Sequence, residues 1–95
     1  MIKGFANTAT RKINEGQRPN RFAGLDFELA WRRLDALNVA RSLSDIPPLK
    51  SFDLHQLKGD RAGQWAMRIN DRWRLVFEWR DGDAYKVEIT DYHKG

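Results

Sequence analysis

The sequence predicts an α+β fold, with two N-terminal helices packed on a small antiparallel sheet. Two observations carry this. Apolar residues recur at helical spacing as far as Arg41, and at every second position from Gln64 onward. Short polar turns then separate the alternating runs, so neighbouring strands should pair as hairpins. A chain of 95 residues suits a single domain, spanning residues 1–95. No repeat, low-complexity tract or long linker divides it.

Ile2 and Phe5 suit a short opening strand. Asn7 or Thr8 offers an N-cap for a first helix over Ala9–Glu15, closed by Gly16. Gln17–Asn20 is a loop, because Pro19 disfavours helical backbone at Arg18. A second helix is expected over Leu25–Arg41. Phe27, Ala30, Trp31, Leu34 and Leu37 form its apolar stripe, with Trp31 as a core anchor. Glu28, Arg32, Arg33 and Asp35 fall mostly on the opposite side. Ser42–Ser51 contains Pro47-Pro48 and reads as a connector.

Beyond it, Phe52–Leu57 is a candidate strand, and Asp60-Arg61-Ala62-Gly63 a turn. Three alternating runs follow. Trp65, Met67 and Ile69 share one face of the first, and Trp73, Leu75, Phe77 and Trp79 one face of the second. Tyr85, Val87 and Ile89 do so on the third. Asn70-Asp71 and Asp81-Gly82-Asp83 supply the turns between them.

Strand period fixes the charges as well. With the tryptophan side turned to the helices, Arg72, Arg74, Glu78 and Arg80 must point away, together with Arg68, Asn70, Lys86, Thr90 and Tyr92. Cross-strand neighbours lie about 5 Å apart, so Arg68 and Arg74 can converge. Guanidinium groups bind phosphate through a bidentate fork. The bland alternative is exposed ion pairing with Glu78, Glu88 and Asp91, which stabilises little. That alternative is preferred for Arg80 and Lys86. For Arg74, a partner outside the fold is preferred.

The segment from Leu57 to Arg74 concentrates Lys58, Arg61, Arg68, Arg72 and Arg74. The formal net charge is +4, which fits either a solvated basic surface or an acidic partner such as RNA, DNA or an acidic protein. His55 and His93 bring imidazoles, the side chain most often used for proton transfer, and Tyr92 offers a ring on which a base can stack. Alone, each histidine reads as an exposed side chain; their company raises both. RNA cleavage without a metal needs help for the attacking 2′-hydroxyl, neutralisation of the phosphoryl oxygens and a proton for the leaving 5′-oxygen. Arginine and lysine suit the second task, and histidine, lysine or tyrosine the others.

No cysteine is present, so thiolate metal sites and disulfides are excluded. No His-x-x-x-His pair, close carboxylate set or phosphate-cradling glycine loop occurs, so neither metal nor cofactor is expected. Neither a bilayer-spanning run nor a signal peptide is apparent, and a cytoplasmic location is the expectation.

Leu57-Lys58-Gly59-Asp60-Arg61, Arg68-Ile69-Asn70-Asp71-Arg72-Trp73-Arg74 and Val87-Glu88-Ile89-Thr90-Asp91-Tyr92-His93 together resemble the HigB-type toxins of the RelE/ParE superfamily, also called plasmid maintenance system killer proteins. The likeness covers essentially the whole chain. It implies a ribosome-dependent endoribonuclease that cleaves mRNA in the decoding site. It also implies a cognate helix-turn-helix, HigA-like antitoxin, which neutralises the toxin and itself contacts operator DNA. Matched residue by residue, Arg74 looks like the phosphate-stabilising group. Lys58 matches a position used in RNA binding or proton transfer. Tyr92 and His93 match a pair used in stacking and acid–base work, with Asp91 to orient them. Arg72 stands at a more variable polar position, and His55 where only some members have histidine. Arg61 and Arg68 complete the expected RNA-binding set. Two rivals share the fold: a ParE-like inhibitor of DNA gyrase, and a toxin whose activity has decayed to antitoxin binding.

Overall fold

A computed structural model describes residues 1–91; Tyr92 and His93, both expected at the site, lie outside the described residues. Helix α1 spans Thr8–Asn14, and the Asn7 side chain accepts a hydrogen bond from the Thr10 amide. Helix α2 spans Phe27–Val39, with Asp26 accepting from the Leu29 amide. Both side chains satisfy amides that a helix start leaves orphaned. The connector holds one 3-10 turn, Leu43–Asp45, closed by a reciprocal Ser42–Asp45 capping box.

Strands β1 (His55–Gln56), β2 (Gln64–Arg68), β3 (Trp73–Arg80) and β4 (Asp83–Asp91) follow in order. They form one sheet, β1-β2-β3-β4, antiparallel throughout. The expected Phe52–Leu57 strand is thus shorter. The opening segment makes only isolated parallel bridges to β4, Ile2 to Ala84 and Phe5 to Val87. They cover an edge that would otherwise present unpaired backbone. Thr10 completes this by accepting from the Ile89 amide at 3.0 Å through its buried hydroxyl.

The phase of β2 and β3 is the expected one. Met67, Leu75 and Phe77 are fully buried in one cluster with Leu34, Leu37 and Ile13 from the helices. Trp73 joins it edge-on to Phe22, with ring centres 5.3 Å apart, and donates its indole N–H to the Ala23 carbonyl. Burying such a ring while satisfying its polar end makes tryptophan a strong anchor.

Three expectations are corrected. Trp31 is no core anchor; it is 45% exposed. The buried face of α2 is centred on Ala30, Leu34 and Leu37, and Trp31 lies about 100° round the helix from Ala30. Arg33, expected on the outside, is only 7% exposed because it flanks that face on the other side. On β4 the alternation breaks. Val76 pairs with Glu88 but Glu78 pairs with Tyr85, so two residues of β4 oppose Phe77 alone. Lys86 absorbs the extra residue with φ at +50°. Tyr85 therefore lies on the outer face, under the Arg80 guanidinium at 4.2 Å, and Ala84 points inward.

Candidate active site

The outer face of the sheet is partly roofed by the chain between β1 and β2. Leu57 packs down on Ala66 and Val76, forming a small second apolar cluster, and its amide donates to the Gln64 carbonyl at 2.8 Å. Lys58 is thereby placed at the head of a 3-10 turn, Gly59–Arg61, with its side chain exposed. What the roof leaves open is a cleft of about 690 Å³, lined by Asp53, His55, Gln56, Leu57, Lys58, Asp71 and Arg74. Of the nine expected site residues, it brings His55, Lys58 and Arg74 together.

Arg74 is the second residue of β3, next to the β2–β3 turn, opposite Arg68 on one side and Thr90 on the other. Its Nη1 donates to the carbonyls of Asn70 and Trp73. Among the described residues no carboxylate pairs with it. Asn70 explains the aim of those carbonyls. Its side-chain oxygen accepts from the Arg72 and Trp73 amides, folding the β2–β3 turn back on itself. The arrangement is a guanidinium steadied at one nitrogen, on a cleft wall, with no anion paired to it among the described residues.

His55 is held at the other wall. Its Nδ1 lies 2.7 Å from the Asp53 carbonyl and 3.8 Å from an Asp53 carboxylate oxygen. A carbonyl only accepts, so Nδ1 donates the hydrogen, and in the neutral ring Nε2 keeps its lone pair. Asp53 takes φ at +43°, a conformation that aspartate tolerates better than most residues.

The remaining cations are otherwise engaged. Arg68 shares the face of Arg74, but its guanidinium pairs with Asp71. Arg61 turns over the middle of the sheet to Gln64 at 3.2 Å and Glu88 at 3.4 Å. Arg72 donates to Asp91 at 2.7 Å and lies over the Trp73 ring. Asp91 is paired in register with Trp73, so both belong to the helix side of the sheet rather than to the Arg74 face. Lys86 meets Glu78 at 3.6 Å, the expected exposed pair. The structure thus leaves Arg61, Arg68, Arg72 and Asp91 outside the cleft lining. Asp53 and Asp71, which line it, were not among the expected residues. Among the described residues no three His, Asp or Glu side chains gather as a metal site. Nor is any described helix long and apolar enough to cross a membrane.

A helical layer over a four-stranded sheet, with a polar cleft holding Lys58 and Arg74 on the far face, belongs to the class of RelE-like toxins of type II toxin-antitoxin systems. Within that class, residues 8–93 match the family model described as RelE-like toxin of type II toxin-antitoxin system HigB, and the chain belongs to this HigB-like family. It is 31% identical over 93 residues to a Proteus vulgaris protein named Endoribonuclease HigB, covering 98% of this chain and all of that one. It is 38% identical over 97 residues to Toxin HigB-1 of Vibrio cholerae, covering 99% of each. A toxin of such a system has an antitoxin as its partner.

Proposed function

We propose that this protein is an endoribonuclease that cuts mRNA on the ribosome without a metal ion, using the cleft between His55 and Arg74. The observation that carries the reading is Arg74, steadied on the cleft wall by backbone carbonyls and left without a carboxylate partner among the described residues. The name of the Proteus relative supports it.

In the proposed reaction the 2′-oxygen attacks the adjacent phosphorus and its proton passes to a base. The bond from phosphorus to the 5′-oxygen breaks, and that oxygen takes a proton from an acid. The products are a 2′,3′-cyclic phosphate and a 5′-hydroxyl. Arg74 neutralises the charge that grows on the phosphoryl oxygens, which donors fixed in advance do well. Lys58 binds the same phosphate from the opposite wall. His55, with Nδ1 committed to Asp53, offers Nε2 for one of the proton transfers. Tyr92 and His93 follow Asp91 directly in sequence, and they serve stacking and the other proton transfer. Arg61, Arg68 and Arg72 act on the RNA only by exchanging a present partner for a phosphate, while Asp91, itself an anion, acts through the side chains it orients.

In this reading the antitoxin is a helix-turn-helix protein resembling HigA, which contacts operator DNA itself, and the toxin works in the cytoplasm. The ParE-like alternative is not favoured, since the family matched is HigB-like. The test is purified protein added to translating ribosomes, with the mRNA fragments mapped and their ends identified. Site-specific breaks ending in 2′,3′-cyclic phosphate are expected. Intact mRNA, or cells that filament with an SOS response while still making protein, would defeat the reading.

A further inference from the structure

Arg33 lies on α2, outside the cleft, and no carboxylate of the described residues pairs with it. The residue as a whole is nonetheless only 7% exposed. Nε donates to the Arg68 carbonyl at 2.9 Å, and Nη2 donates to the Ser51 carbonyl at 3.0 Å. The guanidinium carbon stands 3.9 Å from the centre of the Phe52 ring. The Arg68 amide closes the triangle by donating to the Phe52 carbonyl at 2.6 Å. Three pieces of chain are thus fastened at one point: α2, the Ser51–Phe52 connector and the end of β2.

Two of those pieces run straight into the cleft. Phe52 precedes Asp53, whose carbonyl holds the His55 ring. Arg68 is the register partner of Arg74. A buried cation without a counter-ion is costly, and an apolar side chain of similar shape would avoid that cost. Burial, and then the neighbouring Arg68 cation, hold the Arg33 pKa below its ordinary value. A planar fork reaches two carbonyls on separate segments from two separate nitrogens, whereas an ammonium offers a single nitrogen and a methylene chain none.

We propose that Arg33 is a positioning residue, setting the separation of the His55 wall from the Arg74 wall by tying the Ser51 and Arg68 carbonyls to α2. This rests on the nuclease reading of the cleft. A misplacement of about 1 Å in a catalytic group can cost a hundredfold in rate, so the effect belongs in kcat.

The test compares wild type, Arg33→Lys and Arg33→Met in ribosome-bound mRNA cleavage, alongside amide NMR spectra of each protein. Folded Arg33→Lys should lose about tenfold in kcat and Arg33→Met up to about a hundredfold, each with KM within about twofold. The amide signals of Asp53, His55 and Arg68 should shift in both. Wild-type kcat in both folded variants overturns the proposal. Should wild type itself fail to cleave, the nuclease reading falls and the amide signals decide alone: unmoved signals overturn the positioning role. Should neither variant fold, the wild-type Arg33 Nε–H decides; slow exchange with water supports the tie and fast exchange overturns it.

Discussion

Arg74 is a single side chain whose surroundings fix its aim. Its Nη1 is committed to two carbonyls, so the rest of the fork is oriented before any phosphate arrives. Arg74→Ala should lower the cleavage rate by about 10²–10³-fold, as removal of a charge-stabilising donor typically does. Arg74→Lys should recover little of it, because a point charge does not replace a planar fork. Asp71 gives a prediction of opposite sign. It holds Arg68 in an exposed ion pair beside the cleft. Asp71→Asn should free Arg68 and tighten binding of a short RNA, by no more than about fivefold given how little such pairs contribute. Titration of RNA by fluorescence anisotropy checks both direction and size. The side on which Arg74 lies was legible in the sequence because strand phase fixed it; Lys58 was singled out by the family resemblance and His55 by the cations and tyrosine near it. Asp53 and Asp71 were not, since a backbone turn with positive φ carries one to the cleft and a hairpin loop carries the other.

Elements fail or hold by their caps and turns. The Asp45 carboxylate accepts from the Arg41 and Ser42 amides, and those bonds, the Arg41 amide foremost, hold its pKa below the ordinary value. A depressed carboxyl pKa contributes stability above the unfolded value and loses it as pH falls through the folded one. Thermal unfolding of Asp45→Asn should therefore differ from wild type near neutrality, and the difference should shrink steadily on acidification. At the β3–β4 hairpin, Asp81 and Gly82 both take positive φ, as a two-residue turn of the primed type requires. A Cβ at Gly82 would stand 3.1 Å from the Arg41 carbonyl oxygen as well. Gly82→Ala should cost about 1 kcal/mol or more in chemical denaturation. The Asp-Gly turn was plain in the sequence. The bulge at Lys86 was not, because Val87 and Ile89 continue an apolar alternation past the slip and hide it. Arg33 was read as surface for a similar reason: periodicity sorts residues by polarity, and a cation buried on carbonyls breaks that sorting.

Across the whole molecule, charge is divided by region. Residues 1–25 hold Lys3, Arg11, Lys12, Arg18 and Arg21 against Glu15 alone, which accounts for the entire net charge of +4. The remainder, cleft included, is balanced. Exposed cations set encounter with a polyanion rather than the chemical step. Raising salt should weaken ribosome binding steeply while leaving the single-turnover cleavage rate nearly flat. The fold as a whole was readable from the switch of period after the connector, since Leu75 and Phe77 can bury only if Arg74 and Glu78 face outward. That same constraint is the central claim: one strand phase makes both the core and the phosphate-binding face. Single-turnover cleavage of ribosome-bound mRNA by folded Arg74→Ala tests it most directly. A loss of about two orders of magnitude or more at unchanged thermal stability is expected; cleavage at the wild-type rate would show that the Arg74 face does not bind the scissile phosphate.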